Sequence, residues 1–378
     1  MSKQAKLQSN IATHPGEILR NLLLVKEMSQ KDLAVTIGKT TPVVNDILCG
    51  RRDINAEIAV LLEVVFEGYP ASFWLECQAK YDIDKIRQSE KMKKMEQGIK
   101  DWRSLDNFIN LRIIKKRSGI GDDMLEGLDF LRKLYKVDSI TLLQDCLDRT
   151  ENTAFFRKND SLKTDKRNLN TWILLTRIAN ESQLLSNSFN VERKDELVNR
   201  LNDLFYTNTD TLSCLKEVLN EFGIKFIHEK KLDKVPVDGY SFWLGEHPTI
   251  VVTTRYSWID NLAFTVFHEL GHIIYHLYND RDKDFLDIIE PGGDKKENDF
   301  EKEADNFAQL SLRRGCDFNK YFKRIENPFA VGLLIHKLSE THSINESIII
   351  GQYQHYCKTI LNHPAAYAIG AKLKQKIK

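Results

Sequence analysis

The chain has no cysteine framework. Its six cysteines (Cys49, Cys77, Cys146, Cys214, Cys316, Cys357) are scattered without a C-x-x-C pair, which suits reduced thiols and argues against a disulfide scaffold or a cysteine zinc site. It has almost no net charge: 55 Lys and Arg against 54 Asp and Glu give +1, so any contact with a polyanion must come from a local surface. No stretch approaches the roughly 20 apolar residues that span a bilayer, and the polar start, Met1 to Asn10, lacks the apolar run of a signal peptide. Internal repeats and low-complexity segments are missing too. These absences point to a cytoplasmic protein with no membrane contact. What is present, 42% hydrophobic and 29% charged residues over 378 positions, suffices for two or three separate cores.

Residues 1–86 read as five short helices with clear punctuation. Pro15 opens the first, with Ile18, Leu22, Leu23 and Val25 as its apolar stripe. Ser29 caps the second, with Asp32 in a capping-box relation and Gly38 as its stop. Thr41 and Pro42 open a third that ends at Gly50, Asn55 opens a fourth, and Ser72 opens a fifth containing Phe73, Trp74 and Leu75. Residues 87–205 read as a helical connector: charged from Lys85 to Gly121, with basic clusters at Lys91, Lys93, Lys94 and at Lys115 to Arg117, then amphipathic helices. From Phe222 the pattern changes. Ile224–Ile227, Tyr240–Leu244 and Thr249–Thr254 read as strands. Apolar helix Asn261–Tyr278, a Pro-Gly-Gly loop at Pro291 and helix Asp299–Leu312 follow. The expected fold is mainly α with an α+β C-terminal half, divided as 1–86, 87–205, 206–315 and a C-terminal helical segment 316–378.

Two helices separated by Gly38-Lys39-Thr40 form a helix-turn-helix arrangement, whose second helix would enter the major groove. Thr40, Thr41, Val44 and Asn45 are the candidate base-facing residues, and Gln30, Arg51 and Arg52 the candidate phosphate contacts. Such a unit also occurs as plain helix packing. The runs His14-Pro15-Gly16-Glu17-Ile18-Leu19-Arg20, Ser29-Gln30-Lys31-Asp32-Leu33-Ala34, Asn45-Asp46-Ile47-Leu48-Cys49-Gly50-Arg51-Arg52 and Phe73-Trp74-Leu75-Glu76-Cys77-Gln78 resemble the HigA branch of XRE-type antitoxins. That resemblance implies operator binding, usually as a homodimer, and autoregulation of an operon that can encode a toxin. The turn and recognition helix, Lys39-Thr40-Thr41-Pro42-Val43-Val44, are this chain's own, so no operator sequence carries over.

The second constellation is His268-Glu269-Leu270-Gly271-His272. Residues four apart share a helix face, so both imidazoles can reach one ion, and neutral histidine nitrogens suit zinc. Glu269 falls beside the position of an attacking water, where it can take a proton and later return it to a leaving amine. The helix is apolar elsewhere (Leu262, Phe264, Val266, Phe267, Leu270, Ile273, Ile274). Two histidines and a glutamate buried there need strong partners; two satisfied core histidines are the bland alternative. His276 lies two turns, about 11 Å, from His268 along the axis and reads as support or packing. Glu301 and Asp305 share a face of the downstream helix, so Glu301 can supply a third ligand while Asp305 orients an imidazole. Glu303 points away and reads as a solvated carboxylate.

With Glu301-Lys302-Glu303-Ala304-Asp305-Asn306-Phe307-Ala308, this constellation resembles the ImmA/IrrE family of zinc metallopeptidases. The resemblance implies a zincin-like domain, a third ligand at Glu301 and proteolytic action on regulators. It extends to Phe155-Phe156-Arg157-Lys158, Lys163-Thr164-Asp165 and Trp172, which look like the helical part of helix-turn-helix–peptidase fusions. The run after Ala308, Gln309-Leu310-Ser311-Leu312-Arg313-Arg314-Gly315, departs from the family's apolar continuation, so substrate specificity is not transferred. The strand Thr249–Thr254 could hold an extended substrate by edge pairing or be merely structural. His336, His342, Tyr240 and Tyr256 are unplaced candidates for stabilising an oxyanion.

Taken together, the sequence implies a DNA-binding regulator or antitoxin with a zinc-dependent endopeptidase domain that cleaves a protein partner. Two alternatives stand beside it. One is a non-enzymatic antitoxin and autorepressor with a structural or vestigial zinc site. The other is a peptidase whose helix-turn-helix only docks proteins.

Overall fold

The computed structural model describes residues 13–120, 122–153, 164–253, 257–288, 299–323, 331–358 and 374–378. Phe155 to Lys158, Lys163, Thr254, Tyr256 and the Pro291 loop lie outside them. The chain divides into two units, Met1–Lys100 and Asp101–Lys378.

The first unit holds α1 (Pro15–Val25), α2 (Gln30–Thr36), α3 (Thr41–Leu48), α4 (Ala56–Val65) and α5 (Ala71–Gln88). The signals legible in the sequence set their ends. Ser29 accepts from the Asp32 amide while Asp32 accepts from the Ser29 amide, completing the capping box. The Asn55 side chain caps α4. Pro70 rather than a serine precedes α5. Leu19, Leu33, Ile47, Leu62, Phe66 and Trp74 make the core.

The His14-Pro15-Gly16 run has a packing reason. His14 Nδ1 accepts from the Gly16 amide at 2.9 Å, and its ring meets Tyr81 edge-on at 4.8 Å. A Cβ on Gly16 would collide with the carbonyl oxygen of Ile47, so only glycine lets α1 sit this close to the end of α3. Gln78 secures the same corner from α5, accepting from the Ile54 amide at 3.1 Å and donating to Asp53 and Asp82.

Helix α6 (Glu90–Phe108) runs across the boundary between the units. In the second unit α7 (Leu111–Ser118), α8 (Met124–Tyr135), α9 (Ile140–Thr153) and α10 (Lys166–Glu181) follow. The stretch from Lys85 to Gly121, read from its charges as a connector without a core, buries Leu105, Ile109, Leu111 and Ile114 against Leu128, Leu131, Leu143 and Leu147. Its lysines and arginines occupy the other face, and their number hides the apolar period. Helix α10 is buried on every side over Leu169–Thr176: Leu174 and Leu175 enter that helical core, while Leu169, Trp172 and Ile173 pack on a sheet.

After α11 (Lys194–Thr207) and α12 (Thr211–Glu221), the sheet comprises β1 (Lys225–His228), β2 (Val237–Leu244), β3 (His247–Val252) and β4 (Asp284–Ile288). Its order is β1-β3-β2-β4, with β1 parallel to β3 and the other pairs antiparallel. Val237, Tyr240, Phe242, Val251 and Leu286 face α10. Phe226, Trp243, Ile250, Val252 and Phe285 face the opposite core, which contains α13 (Ile259–His272). A sheet covered on both faces explains why β2 is buried almost end to end. Strand β3 is an interior strand, hydrogen-bonded on both sides, so the edge-pairing role considered for Thr249–Thr254 does not apply to it. Edge strand β4 escaped the sequence reading because its Asp-Phe-Leu-Asp-Ile run looks half polar.

Helix α13 continues as a π-helical turn, Ile273–Leu277. Then come α14 (Asp299–Arg313), α15 (Phe318–Phe322), α16 (Val331–His342) and α17 (Glu346–Tyr356). Residues 374–378 return to the start of α13: Trp258 and Lys376 form an antiparallel bridge, and Lys374 Nζ lies 2.6 Å from Asp260 Oδ2. Among the described residues no helix is long and apolar enough to cross a membrane.

A Gly16→Val variant forces a side chain into the Ile47 carbonyl, an overpacking expected to cost about 1–3 kcal/mol. Urea unfolding should show that loss in the first unit alone, with the transition of residues 101–378 unmoved.

Candidate metal centre and nucleic-acid interface

The metal-type cluster forms where α14 crosses α13. A Cβ on Gly271 would stand 3.1 Å from the Cα of Ala304 and 3.3 Å from Phe307, so the two helices touch nearly backbone to backbone. That contact brings Glu301 to the histidines. His268 Nε2 and His272 Nε2 are 3.0 Å apart; Glu301 places Oε2 3.4 Å from the first and Oε1 3.4 Å from the second. Among the described residues these three are the set whose ligand atoms converge. Bonds of 2.0–2.1 Å in tetrahedral geometry put donor atoms roughly 3.3 Å apart, close to the His–His spacing and to the approach of each Glu301 oxygen to its nearer imidazole. The chemistry of this set fits as well. Two inward imidazole lone pairs and a carboxylate repel one another unless a proton or cation lies between them.

The outward nitrogens are also engaged. His268 Nδ1 lies 2.9 Å from Asp305 Oδ1; since a carboxylate only accepts, this nitrogen carries the proton and Nε2 turns its lone pair inward. His272 Nδ1 is 2.9 Å from His276 Nδ1, and His276 Nε2 is 3.0 Å from Glu303 Oε2. Glu303, expected as a solvated carboxylate, is exposed yet ends this chain of contacts. Phe285 of β4 stacks on His272 with ring centroids 4.2 Å apart. Burial pushes His272 down from the ordinary imidazole value of 6.5 to about 4, against the pull of Glu301, so it is neutral near pH 7, as a metal ligand must be. Burial also lowers His276. For Glu301 burial alone would raise the carboxyl; hydrogen bonds and charge from His268 and His272 outweigh it and hold the group well below the usual range.

Glu269 is fully buried. Its carboxylate lies against β2 at Gly239, where a Cβ would overlap Oε1 and crowd Thr265. Sequence reasoning missed Gly239, Phe285 and the partner of Glu303. A glycine inside a strand was the available signal for the first, since it marks close approach by another group. Of the unplaced oxyanion candidates, Tyr240 turns to the α10 side, donating to Asp284 at 3.1 Å beside Arg177, which bonds the same carboxylate at 2.6 Å. His336 pairs with Glu346 and Glu340 on α16 and α17. His342 lies at the end of α16. None of the three belongs to the converging set.

In the first unit, Gln30, Thr40, Thr41, Arg51 and Arg52 are exposed and Asn45 is partly exposed. Val44 is a correction: it has no exposed surface and belongs to the core, because the stripe that seats α3 on α1 and α2 needs Val44 with Ile47 and Leu48. Arg51 is held by Asp46 at 2.9 Å, and Asn45 Oδ1 accepts from Cys49 Sγ at 3.6 Å.

No protein-family model matches the chain. Over 73 residues it is 30% identical to virulence-associated protein A' of Dichelobacter nodosus, covering 19% of this chain and 64% of that protein. Over 80 residues it is 32% identical to virulence-associated protein A of the same organism, covering 19% of this chain and 72% of that protein. The chain thus spans just under two thirds of the length of the first. Similar solved structures include an addiction module antidote protein of a HigA family from Coxiella burnetii (35% identity, 23% of this chain, 96% of that chain, TM-score 0.22). Another is the Pseudomonas aeruginosa antitoxin HigA with the higBA promoter (32% identity, 22% of this chain, 89% of that chain, TM-score 0.21). A third is antitoxin GraA (30% identity, 23% of this chain, 95% of that chain, TM-score 0.22).

The depressed His272 sets a pH dependence in metal-free protein. Below 6.5 the unfolded state takes up a proton that the folded state refuses, so stability is full above that value and falls as pH drops toward 4. A loss on the order of 3 kcal/mol across that window should appear as a falling urea midpoint, flattened in His272→Gln.

Proposed function

The N-terminal part of this chain belongs to the family of virulence-associated protein A, and from that premise we propose a DNA-binding regulator whose second unit is a zinc-dependent endopeptidase acting on a protein partner. The observation that carries the peptidase half is the convergence of His268 Nε2, His272 Nε2 and Glu301 on one point, beside a buried glutamate in the next position of the same helix.

His268, His272 and Glu301 would hold the ion, with Asp305 and His276 orienting the two rings from behind. A zinc ion there supplies Lewis acidity toward a peptide carbonyl and toward water. Glu269 supplies the base: its carboxylate takes the proton of the attacking water and passes it to the leaving amide nitrogen. Phe285, Phe264 and Phe300 around the histidines keep bulk water from the rings. Helices α2 and α3 would dock on an operator, with Thr40, Thr41 and Asn45 toward base edges and Gln30, Arg51 and Arg52 toward phosphates. A homodimer and a cognate toxin as the protein partner belong to this reading. The P. aeruginosa antitoxin determined with its promoter and a P. aeruginosa protein determined with its operator DNA support the first half.

A second reading keeps the DNA-binding half and makes the metal structural. It is favoured by the likenesses to known antitoxins all lying in the N-terminal part.

Metal analysis of purified protein should find about one zinc per chain, lost in His272→Ala and in Glu301→Ala. Glu269→Gln should keep the zinc and abolish cleavage of a co-expressed partner. A Glu269→Gln variant that cleaves normally sinks the mechanism, and one that neutralises a toxin and represses normally supports the structural reading. Thr41→Ala with Asn45→Ala should abolish sequence-specific binding; unchanged operator affinity would make the helix-turn-helix a docking module.

A further inference from the structure

We infer that Glu303 is a positioning residue which, acting through His276, fixes the protonation form in which His272 presents its Nε2 lone pair to the metal point. The inference rests on reading that cluster as a metal site.

Three contacts in series carry it. Glu303 Oε2 is 3.0 Å from His276 Nε2, His276 Nδ1 is 2.9 Å from His272 Nδ1, and His272 Nε2 faces His268 Nε2 and Glu301. A neutral imidazole has one N–H and one bare nitrogen. The Glu303 carboxylate only accepts, so His276 donates through Nε2–H, which leaves its Nδ1 bare. Bare Nδ1 accepts from His272, so His272 carries its proton on Nδ1 and its Nε2 is bare toward the cluster. Each choice dictates the next.

Without the carboxylate the chain can run backwards. His276 then holds its proton on Nδ1 and donates to His272 Nδ1, which places the His272 proton on Nε2, at the point a cation would occupy. The rings are packed on aromatic neighbours, which opposes a turn that would escape this choice. His276 meets Phe300 edge-on at 4.8 Å and Phe285 at 5.1 Å, and His272 stacks on Phe285. The other ligand does not share the dependence, because Asp305 sets His268 directly. Glu303 thus has a task distinct from that of Glu301, two residues away on the same helix.

The test uses the full chain with ¹⁵N-labelled histidine rings. Long-range ¹H–¹⁵N spectra of metal-free protein report the tautomer of each ring, and competition with a chromogenic chelator reports zinc affinity. Wild type should show His276 protonated at Nε2 and His272 at Nδ1, with a proton shared between His268 Nε2 and Glu301 separating the inward groups while no cation is bound. Glu303→Ala should shift both toward the opposite form and weaken zinc on the order of 10- to 100-fold. Glu303→Gln, whose amide oxygen accepts the same bond, should restore most of both. Unchanged tautomers with unchanged affinity in Glu303→Ala overturn the inference, as does Glu303→Gln behaving like Glu303→Ala. Wild type with the stated tautomers but no affinity for zinc would instead overturn the metal reading, with the relay itself upheld.

Discussion

The second unit depends on how closely three backbones approach. Helix α13 is gripped from two sides, and a glycine stands at each contact. Gly271 lets α14 settle against it at Ala304, and Gly239 lets β2 settle against Glu269. Widening the first contact by the breadth of a leucine would draw Glu301 away from both imidazoles. Filling the second would displace the carboxylate read as the base. The donor atoms are few and ordinary; their spacing is set by the residues that carry no side chain.

A second support lies on the far face of the sheet. Arg177 of α10 and Tyr240 of β2 hold Asp284 of β4, and the next residue, Phe285, stacks on His272 from the opposite face. Alternation along a strand turns one anchored residue into a fixed orientation for its neighbour. A buried carboxylate beside an arginine and a hydroxyl is tolerable because its lone pairs are engaged. The helical region that looked like a spacer therefore reaches the metal-type cluster through a single strand.

Much of this was legible. The spacing of His268 and His272, and of Glu301 and Asp305, follows from the helical repeat, and both pairs meet in space because each shares a face. Caps at Ser29 and Asn55 were readable because those side chains act on amides three residues away. What stayed hidden depends on pairings between distant segments. Val44 looked available in a recognition helix, but the orientation of α3 is decided by helices it packs on. The interior place of β3 depends on β1 returning parallel beside it, which no local pattern encodes. Glu303 pointed away by helical phase alone, yet the further run of α13 brought His276 to meet it.

The strap formed by residues 374–378 has a consequence in time. It is sewn to positions far back in the chain: the Thr211 amide donates to the Lys378 carbonyl, and Asn208 bonds Lys376, 168 residues away. Contacts of such sequence separation form late, since a long loop must close before they contribute. A domain that precedes another in the chain folds first during synthesis, and the first unit precedes α13. A nascent chain therefore carries a folded helix-turn-helix while α13 still lacks its strap. On the ribosome the two units mature in sequence, the first well before the histidine cluster of α13 is complete.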